Sequence, residues 1–148
     1  MSLLLVIFIP LIALSALMMV SCWKLFAKAG EEGWKSLIPV YNLVIMTKIG
    51  LGADKQWLAL VAYGGSFVAG FVAGFAGEGI LYILISLASS IINIYILYAF
   101  AKSYSDTGMA IASIFVPIII YPIIALSDKY VYAPSFAIDS EEQLGDIN

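Results

Sequence analysis

The sequence predicts an all-α integral membrane protein, in which four transmembrane helices form a bundle and a short interfacial or re-entrant helix joins the first two spans. Hydrophobic residues make up 63% of the 148-residue chain and charged residues only 11%, whereas soluble domains contain about 45–50% apolar and about 25% charged residues. The few charges are also grouped between long uncharged stretches. Because so small a domain cannot bury this much apolar surface inside itself, lipid is the expected surrounding medium.

Four uncharged stretches are close to the roughly 20 residues that a helix needs to cross about 30 Å of hydrocarbon. They predict spans at about 2–23, 56–77, 79–101 and 107–127. Helices are expected because lipid offers the backbone amides no hydrogen-bond partner. The first span has no positively charged start, which argues against a cleaved signal peptide. The spans form one membrane domain, residues 1–127, followed by an acidic tail at residues 128–148.

A shorter apolar stretch, about residues 34–50, lies between the first and second spans. It is too short to cross a bilayer, and Pro39 suits the first turn of a helix because that position needs no amide hydrogen. We interpret the stretch as an elbow that lies at the membrane interface or dips partly into it. A short helix packed on the spans is the alternative. No tandem or inverted repeat is evident along the chain.

The lysines predict the orientation. Five of the seven lysines lie between the first and second spans, Lys102 follows the third span, and only Lys129 falls in the tail. Because cytoplasmic connections carry an excess of lysine, the first and third connections are predicted to be cytoplasmic. The N-terminus, the turn at Glu78 and the C-terminus then lie outside the cytoplasm. Three tryptophans flank the same cytoplasmic connection, as in an aromatic belt: Trp23, Trp34 and Trp57.

The second span carries small residues at every fourth position, namely Ser66, Gly70 and Gly74. This spacing places them on one helix face, where a second helix backbone can approach closely. Two uses fit the pattern: a seam between two copies of the chain, or internal packing against the third span. We favour internal packing here.

The third span carries Ser86, Ser90 and Asn93, which share one helix face because they are four and three residues apart. An unpaired amide in lipid costs several kcal/mol, so Asn93 should face protein or water. One interpretation is a polar path or a small-ligand site. The other, which we favour, is hydrogen bonding between helices.

The residue types that are absent exclude several functions. The chain has no histidine and no arginine, so a Ser-His-Asp triad, the usual metal ligands and bidentate phosphate contacts are all missing. No Asp, Glu or Lys lies inside a predicted span, where pumps and voltage sensors hold their ionisable groups. We therefore expect no enzyme activity, no catalytic residue, no metal site and no cofactor. The net charge of −3 also argues against nucleic-acid binding.

A distinctive motif, KAGEEGWKSLIPVYN, occupies residues 28–42. It resembles an uncharacterised family of small bacterial four-span membrane proteins, and it is similar to the N-terminal membrane region of some bacterial type I signal peptidases. The resemblance implies a location in the bacterial inner membrane and no known activity. Those peptidases add a periplasmic domain with a serine nucleophile and a lysine base. Residues 1–148 contain no counterpart of that domain, so we expect no peptidase activity.

The motif has a physical explanation as an elbow. Its glycines permit the chain to reverse, its lysines can meet anionic headgroups, its tryptophan anchors the depth, and its proline begins a helix. The last two residues of the motif can hydrogen-bond to a neighbouring helix. The elbow residues are Lys28, Gly30, Gly33, Trp34, Lys35, Pro39, Tyr41 and Asn42.

The leading functional hypothesis is a non-enzymatic membrane subunit or interaction module. Its partners would be the lipid bilayer and either its own copies or a larger membrane complex, reached through the Gly70 and Gly74 face, the elbow or the tail. The alternative is a passive channel or small-solute transporter that several copies assemble, with the Ser86, Ser90 and Asn93 face lining the path.

Overall fold

The computed structural model describes residues 2–77 and 79–136 of the chain. This part is helical and contains no strand, which confirms the all-α prediction for the residues described. Its six α-helices are α1 (Ser2–Lys28), α2 (Pro39–Leu51), α3 (Trp57–Ala76), α4 (Ile80–Lys102), α5 (Thr107–Phe115) and α6 (Pro117–Leu126). Glu78 and residues 137–148 of the predicted acidic tail lie outside the described residues.

Three helical stretches are long and apolar enough to cross a membrane, namely Val6–Lys28, Ala53–Phe75 and Ile80–Lys102. They follow the first three predicted spans in order. Most of their side chains are exposed on the surface of the chain. Such exposure is expected in a bilayer, because lipid tails surround an apolar side chain as favourably as a protein core does. These helices indicate a multi-pass membrane protein.

The structure does not confirm a fourth span over residues 107–127, because the chain reverses between α5 and α6. The Tyr130 hydroxyl lies 4.0 Å from the sulfur of Met109. The Ala133 N–H donates to the Ser103 carbonyl at 2.8 Å. A continuous helix of 20 residues would hold its ends about 30 Å apart. These contacts therefore make α5 and α6 a hairpin that starts and finishes at one end of the bundle.

A proline sets the place of this reversal. Val116 has φ −134° and ψ 57°, and Pro117 occupies the first turn of α6. The proline ring disfavours helical geometry for the residue before it, and proline has no amide hydrogen to leave unpaired at the tip. The two arms contain 9 and 10 residues, so each is about 15 Å long. That is roughly half of a hydrocarbon core, as in a re-entrant hairpin.

The hairpin contradicts the prediction of the side on which the chain continues after residue 127. Residues 127–136 return over the ends of α1, α2 and α4, whereas the sequence predicts that they leave on the side opposite the lysines. This strap, residues 127–136, carries Lys129, which faces the same groove as Lys102. All seven lysines of the chain therefore lie at one end of the fold, which we call the lysine-rich end.

The predicted elbow forms a second helical hairpin. A short 3₁₀ helix, Gly33–Leu37, runs back along α1: a Cβ on Gly33 would collide with the Trp23 ring, and Leu37 shares a groove with Met19. α2 then returns to the lysine-rich end and packs mainly against α4. Because seven residues of α2 are buried, the segment matches the alternative of a helix packed on the spans rather than one lying flat at the interface.

The two hairpins, residues 33–51 and 107–126, exchange partners. The first arm of each lies on the span that precedes it, so the 3₁₀ helix contacts α1 and α5 contacts α4. The second arm of each lies on the other span, so α2 contacts α4 and α6 contacts α1. Phe26 of α1 and Phe100 of α4 meet edge to face, with ring centroids 6.0 Å apart. α3 packs on α4, and no equivalent helix covers α1 within the part described.

The hairpin geometry predicts the sidedness of three positions. In a Cys22→Ala background, which removes the buried native thiol, we expect a membrane-impermeant maleimide to label Glu32→Cys and Lys129→Cys from the same side. Gly79→Cys should be labelled from the opposite side. Labelling of intact cells and inverted vesicles measures this. Joint labelling of Lys129→Cys and Gly79→Cys would mean that α5 and α6 cross the membrane as one span.

The contact between α2 and α4 predicts that Gly50→Ala is destabilising. A Cβ at Gly50 would lie 2.6 Å from the Phe100 amide nitrogen and 2.8 Å from the Ala99 carbonyl carbon, so the backbones must separate. We expect a loss of about 2–3 kcal/mol, as for other overpacked sites, measured by unfolding in mixed detergent micelles. Gly64→Ala is the matched control, because a Cβ at Gly64 meets nothing within 4 Å; equal losses would contradict the prediction.

Candidate functional site

The candidate site is the polar layer at the lysine-rich end, where the ends of α1, α2, α4 and α6 meet. Helix ends leave their last carbonyl groups without partners in the helix. In a membrane protein these groups need donors from side chains, backbone or water. The layer supplies side-chain donors from three segments, namely the end of α1, the residues after α4 and the strap.

Lys28 caps the C-terminal end of α6. Its Nζ donates to the carbonyls of Ile124 and Ser127 at 2.8 Å each and to the carbonyl of Tyr130 at 3.0 Å. A cation at this position also compensates the negative end of the helix dipole. The sequence places Lys28 among the lipid headgroups, whereas the structure turns it inward as the donor that joins α1 to α6 and to the strap.

A Schellman motif ends α1. Gly30 has φ 78°, and its N–H donates to the Ala27 carbonyl at 3.0 Å, while the Glu31 N–H donates to the Phe26 carbonyl at 2.9 Å. This pair of bonds is the usual glycine-dependent helix ending. The turn directs the Glu31 side chain, which is 13% exposed, into the polar layer.

Glu31 links the elbow to α2 by charge. Its carboxylate contacts Lys48 of α2 and lies 3.6 Å from the Nζ of Lys35. Glu32 places a second carboxylate 3.1 Å from Lys35. The hydrogen bond and charge of Glu32, together with the charge of Glu31, raise the pKa of Lys35. The resulting cluster holds the reversed chain against the start of the core.

The remaining elbow residues make their contacts within the elbow itself. α2 begins at Pro39. The Asn42 amide donates to the Ser36 carbonyl at 2.9 Å, rather than to a neighbouring span. The Tyr41 ring lies beside Trp34 with centroids 6.1 Å apart, and both are about half exposed. This contact joins the start of the 3₁₀ helix to the first turn of α2, so it lies within the elbow.

The strap caps the C-terminal end of α2. The Ser135 hydroxyl donates to the Gly50 carbonyl at 2.7 Å, and the Tyr132 hydroxyl donates to the Ile49 carbonyl at 3.2 Å. Ser103, in the turn after α4, accepts a bond from the Ser135 N–H at 3.4 Å. The last carbonyls of α2 are therefore satisfied by a segment that is more than 80 residues away in the sequence.

Tyr104 joins the end of α4 to α1. Its hydroxyl donates to the Leu25 carbonyl at 2.6 Å. Burial raises the pKa of Tyr104, and burial likewise raises the pKa of Tyr132. Both phenols therefore remain protonated near neutral pH and remain donors. In this layer they serve as hydrogen-bond donors to the backbone rather than as acids or bases.

Most of this layer cannot be recognised from sequence patterns. The motif at residues 28–42 points to Lys28 and the glycines, but not to the strap and turn residues that complete the layer, which are Ser103, Tyr104, Tyr132 and Ser135. Their roles depend on the return of the strap, for which no local pattern exists. The turn that positions Glu31 can be recognised from the sequence, because lysine, alanine and glycine at the end of a helix form a C-cap signal.

The small residues of α3 lie on an exposed face. A Cβ on Gly70 or Gly74 would meet nothing within 4 Å. Ser66 is exposed, and its hydroxyl donates to a carbonyl of its own helix, that of Ala62, at 2.9 Å. We refer to Ser66, Gly70 and Gly74 as the open face of α3.

α3 packs on α4 through a different set of small residues. Ala62 and Ala69 are buried, with 0% and 3% of their surface exposed. Between them, a Cβ on Gly65 would collide with the Ser89 hydroxyl of α4. Internal packing against the third span therefore uses this neighbouring row, and it leaves the open face without a partner among the described residues.

The polar stripe of α4 is bonded within its own helix. The Ser90 hydroxyl donates to the Ser86 carbonyl at 2.8 Å, and the Asn93 amide donates to the Ser89 carbonyl at 3.2 Å. Ser86 and Asn93 are half-buried beside α3, whereas Ser90 is exposed. The structure thus keeps the three residues on one face of α4 without joining them to the polar layer.

A small cavity of about 170 Å³ lies between α2 and α4 beside the polar layer. Its lining includes Lys55, Lys102, Tyr95, Tyr98 and Ser135. The volume suits a few water molecules rather than an organic cofactor. Across residues 2–77 and 79–136, no cluster of three His, Cys, Asp or Glu side chains could hold a metal ion.

The fold and the polar layer define a multi-pass membrane protein whose polar side chains close the ends of its own helices. The model of the DUF5684 family, described as a family of unknown function, matches residues 34–134. The match runs from the elbow to the strap and covers more than half of the chain. The protein therefore belongs to this family, which confirms the expected membership of an uncharacterised family. No curated protein and no solved structure matches the chain.

The capping of α6 predicts that Lys28→Met is strongly destabilising. The substitution keeps the apolar stem but leaves three carbonyls without their charged donor. Hydrogen bonds to charged groups contribute about 1.5–3 kcal/mol each, so we expect a loss of about 3 kcal/mol in detergent unfolding. Lys24→Met is the matched control, because Lys24 is exposed one turn earlier in α1. A similar loss for both variants would contradict the capping role.

Proposed function

We propose that the protein is a non-enzymatic integral membrane subunit that associates with its own copies through the open face of α3. One observation carries the proposal: α3 has two rows of small residues, and its contact with α4 uses only one of them. Small residues at four-residue spacing allow close approach of helix backbones, which is the main source of helix association in lipid.

The state of the polar side chains supports a non-enzymatic role. Lys28, Tyr104, Tyr132 and Ser135 all donate to backbone carbonyls. Catalysis needs a nucleophile or base that faces a substrate position. The principal polar groups of the layer face helix ends instead, which is the arrangement of a structural cap.

The distribution of lysine supports an orientation in a bacterial inner membrane. All seven lysines lie at one end of the fold, since the strap brings Lys129 to the others. By the positive-inside rule, this end faces the cytoplasm. The N-terminus of α1 then lies outside, as the sequence predicts, while residues 127–136 lie on the cytoplasmic side.

The channel alternative has weaker support. A water-filled path needs polar side chains that face an opening continuous across the membrane. Ser90 and Asn93 bond to carbonyls of their own helix. The cavity beside the polar layer is lined on α4 by Tyr95, Tyr98 and Ala99 rather than by the stripe.

The proposal predicts that bulky side chains on the open face weaken association. We expect Gly70→Leu to weaken the apparent affinity between copies at least tenfold, because the leucine side chain keeps the helices apart. Energy transfer between fluorescently labelled copies in liposomes measures this affinity. Gly64→Leu is the matched control. It makes the same change on the same helix, about 120° from Gly70, also where a Cβ meets nothing.

Two results would refute self-association through this face. One is a wild-type protein without energy transfer at any protein-to-lipid ratio. The other is an equal effect of Gly64→Leu and Gly70→Leu.

A further inference from the structure

We infer that residues 2–136 contain two structural repeats, that no described helix takes the place of α3 in the second repeat, and that α3 of a second copy covers the surface left open on α1. The inference rests on the proposed self-association and names the surface that receives the open face of α3. The repeats are α1 to α3 and α4 to α6.

The sequence alone shows no evident repeat, but once the packing aligns the two halves, short sequence matches fall at corresponding places. Phe-Ala-Lys ends both spans, at residues 26–28 in α1 and 100–102 in α4. A proline begins both second arms, Pro39 in α2 and Pro117 in α6. The second arms then end in Ile-Gly-Leu at residues 49–51 and Ile-Ala-Leu at residues 124–126.

The packing repeats in the same way. The first arm of each repeat contacts its own span and the second arm contacts the other span. Phe26 and Phe100, which correspond to each other, are also in contact with each other. Contact between equivalent residues is the mark of an approximate two-fold axis, as in transporters built from parallel repeats. The axis runs along the bundle, between α1 and α4.

The second repeat leaves one position empty within the described residues. α3 of the first repeat covers α4, where Ile85 and Asn93 are half-buried and Ser89 is buried. The equivalent residues of α1 lie 74 positions earlier, because Lys28 corresponds to Lys102. These equivalents, Leu11, Ser15 and Met19, are all exposed. The same helical surface is therefore covered in one repeat and open in the other.

The helix that fits this surface is already present in the protein. α3 covers Ser89, which lies 13 residues before Lys102, and Ser15 lies 13 residues before Lys28. α3 runs away from the lysine-rich end and α1 runs towards it. In two copies with the same membrane orientation, α3 of one copy is therefore antiparallel to α1 of its neighbour, as α3 is to α4 within one chain.

The open face of α3 lies at the matching depth. Ser66 follows Gly65, the residue that sits on Ser89, and it is about 100° further round the helix. A neighbour's Ser15 is at the depth of Ser89, so it is level with Ser66. One α3 can then contact α4 of its own chain and α1 of the next copy. This contact joins two different surfaces, α3 of one copy and α1 of the next.

Cysteine cross-linking between two tagged copies tests this arrangement. In the Cys22→Ala background, one copy carries Ser15→Cys and the other Ser66→Cys, and both are expressed together and oxidised in native membranes. We expect a mixed disulfide dimer that carries both tags. The matched control pairs Ser15→Cys with Val68→Cys, which lies on the other side of α3, about 200° from Ser66; it should give at least tenfold less dimer.

The outcomes separate this inference from the proposed function. Cross-links between two Ser66→Cys copies without any to Ser15→Cys overturn the inference, although association through α3 remains. Equal yields from the Ser66→Cys and Val68→Cys pairs, or no mixed dimer at all, also overturn it. The energy-transfer measurement with Gly70→Leu reports on the proposed function independently, because it detects association whichever helix receives α3.

Discussion

The second half of the fold depends on the hydrogen bonds that the Lys28 ammonium donates to backbone carbonyls. α6 ends beside α1 and the strap, and its last carbonyls have no partners within the helix, so they need donors from elsewhere. Lys28 meets two of them and also binds the carbonyl of Tyr130 in the strap. Because one side chain satisfies both segments, the hairpin can finish beside α1 and the strap can continue over α2.

Both chain reversals depend on the same physical requirement. A helix that turns back inside a membrane exposes backbone groups at the turn and at its end, and lipid cannot hydrogen-bond to them. At the lysine-rich end, Gly30 permits the Schellman bonds that cap α1 before the chain turns back. At the tips of the two hairpins, Pro39 and Pro117 begin the second arms and have no amide hydrogen that would need a partner. Serine and tyrosine hydroxyls of the strap then close α2.

α3 carries two rows of small residues, and only one of them packs on α4. Four-residue spacing identifies Gly70 and Gly74 as small and aligned, but Ala62, Gly65 and Ala69 are also small. Which row meets α4 depends on the rotation of α3 about its own axis, and the contacts of α3 with α2 and α4 fix that rotation. A similar ambiguity affects Ser89 and Asn93, since both are polar residues on one side of α4.

The sequence by itself determined the helical membrane character, three spans, the start of α2 at Pro39 and most of the lysine bias. These follow from composition and local chemistry, because an uncharged stretch of about 20 residues pairs its own backbone groups in lipid by forming a helix. Only the tertiary structure decided that residues 107–126 turn back. An apolar stretch of this length reads the same whether it runs straight or folds at its proline. The contacts of Lys28 and Ser103 with distant segments settle the difference, and no local pattern encodes them.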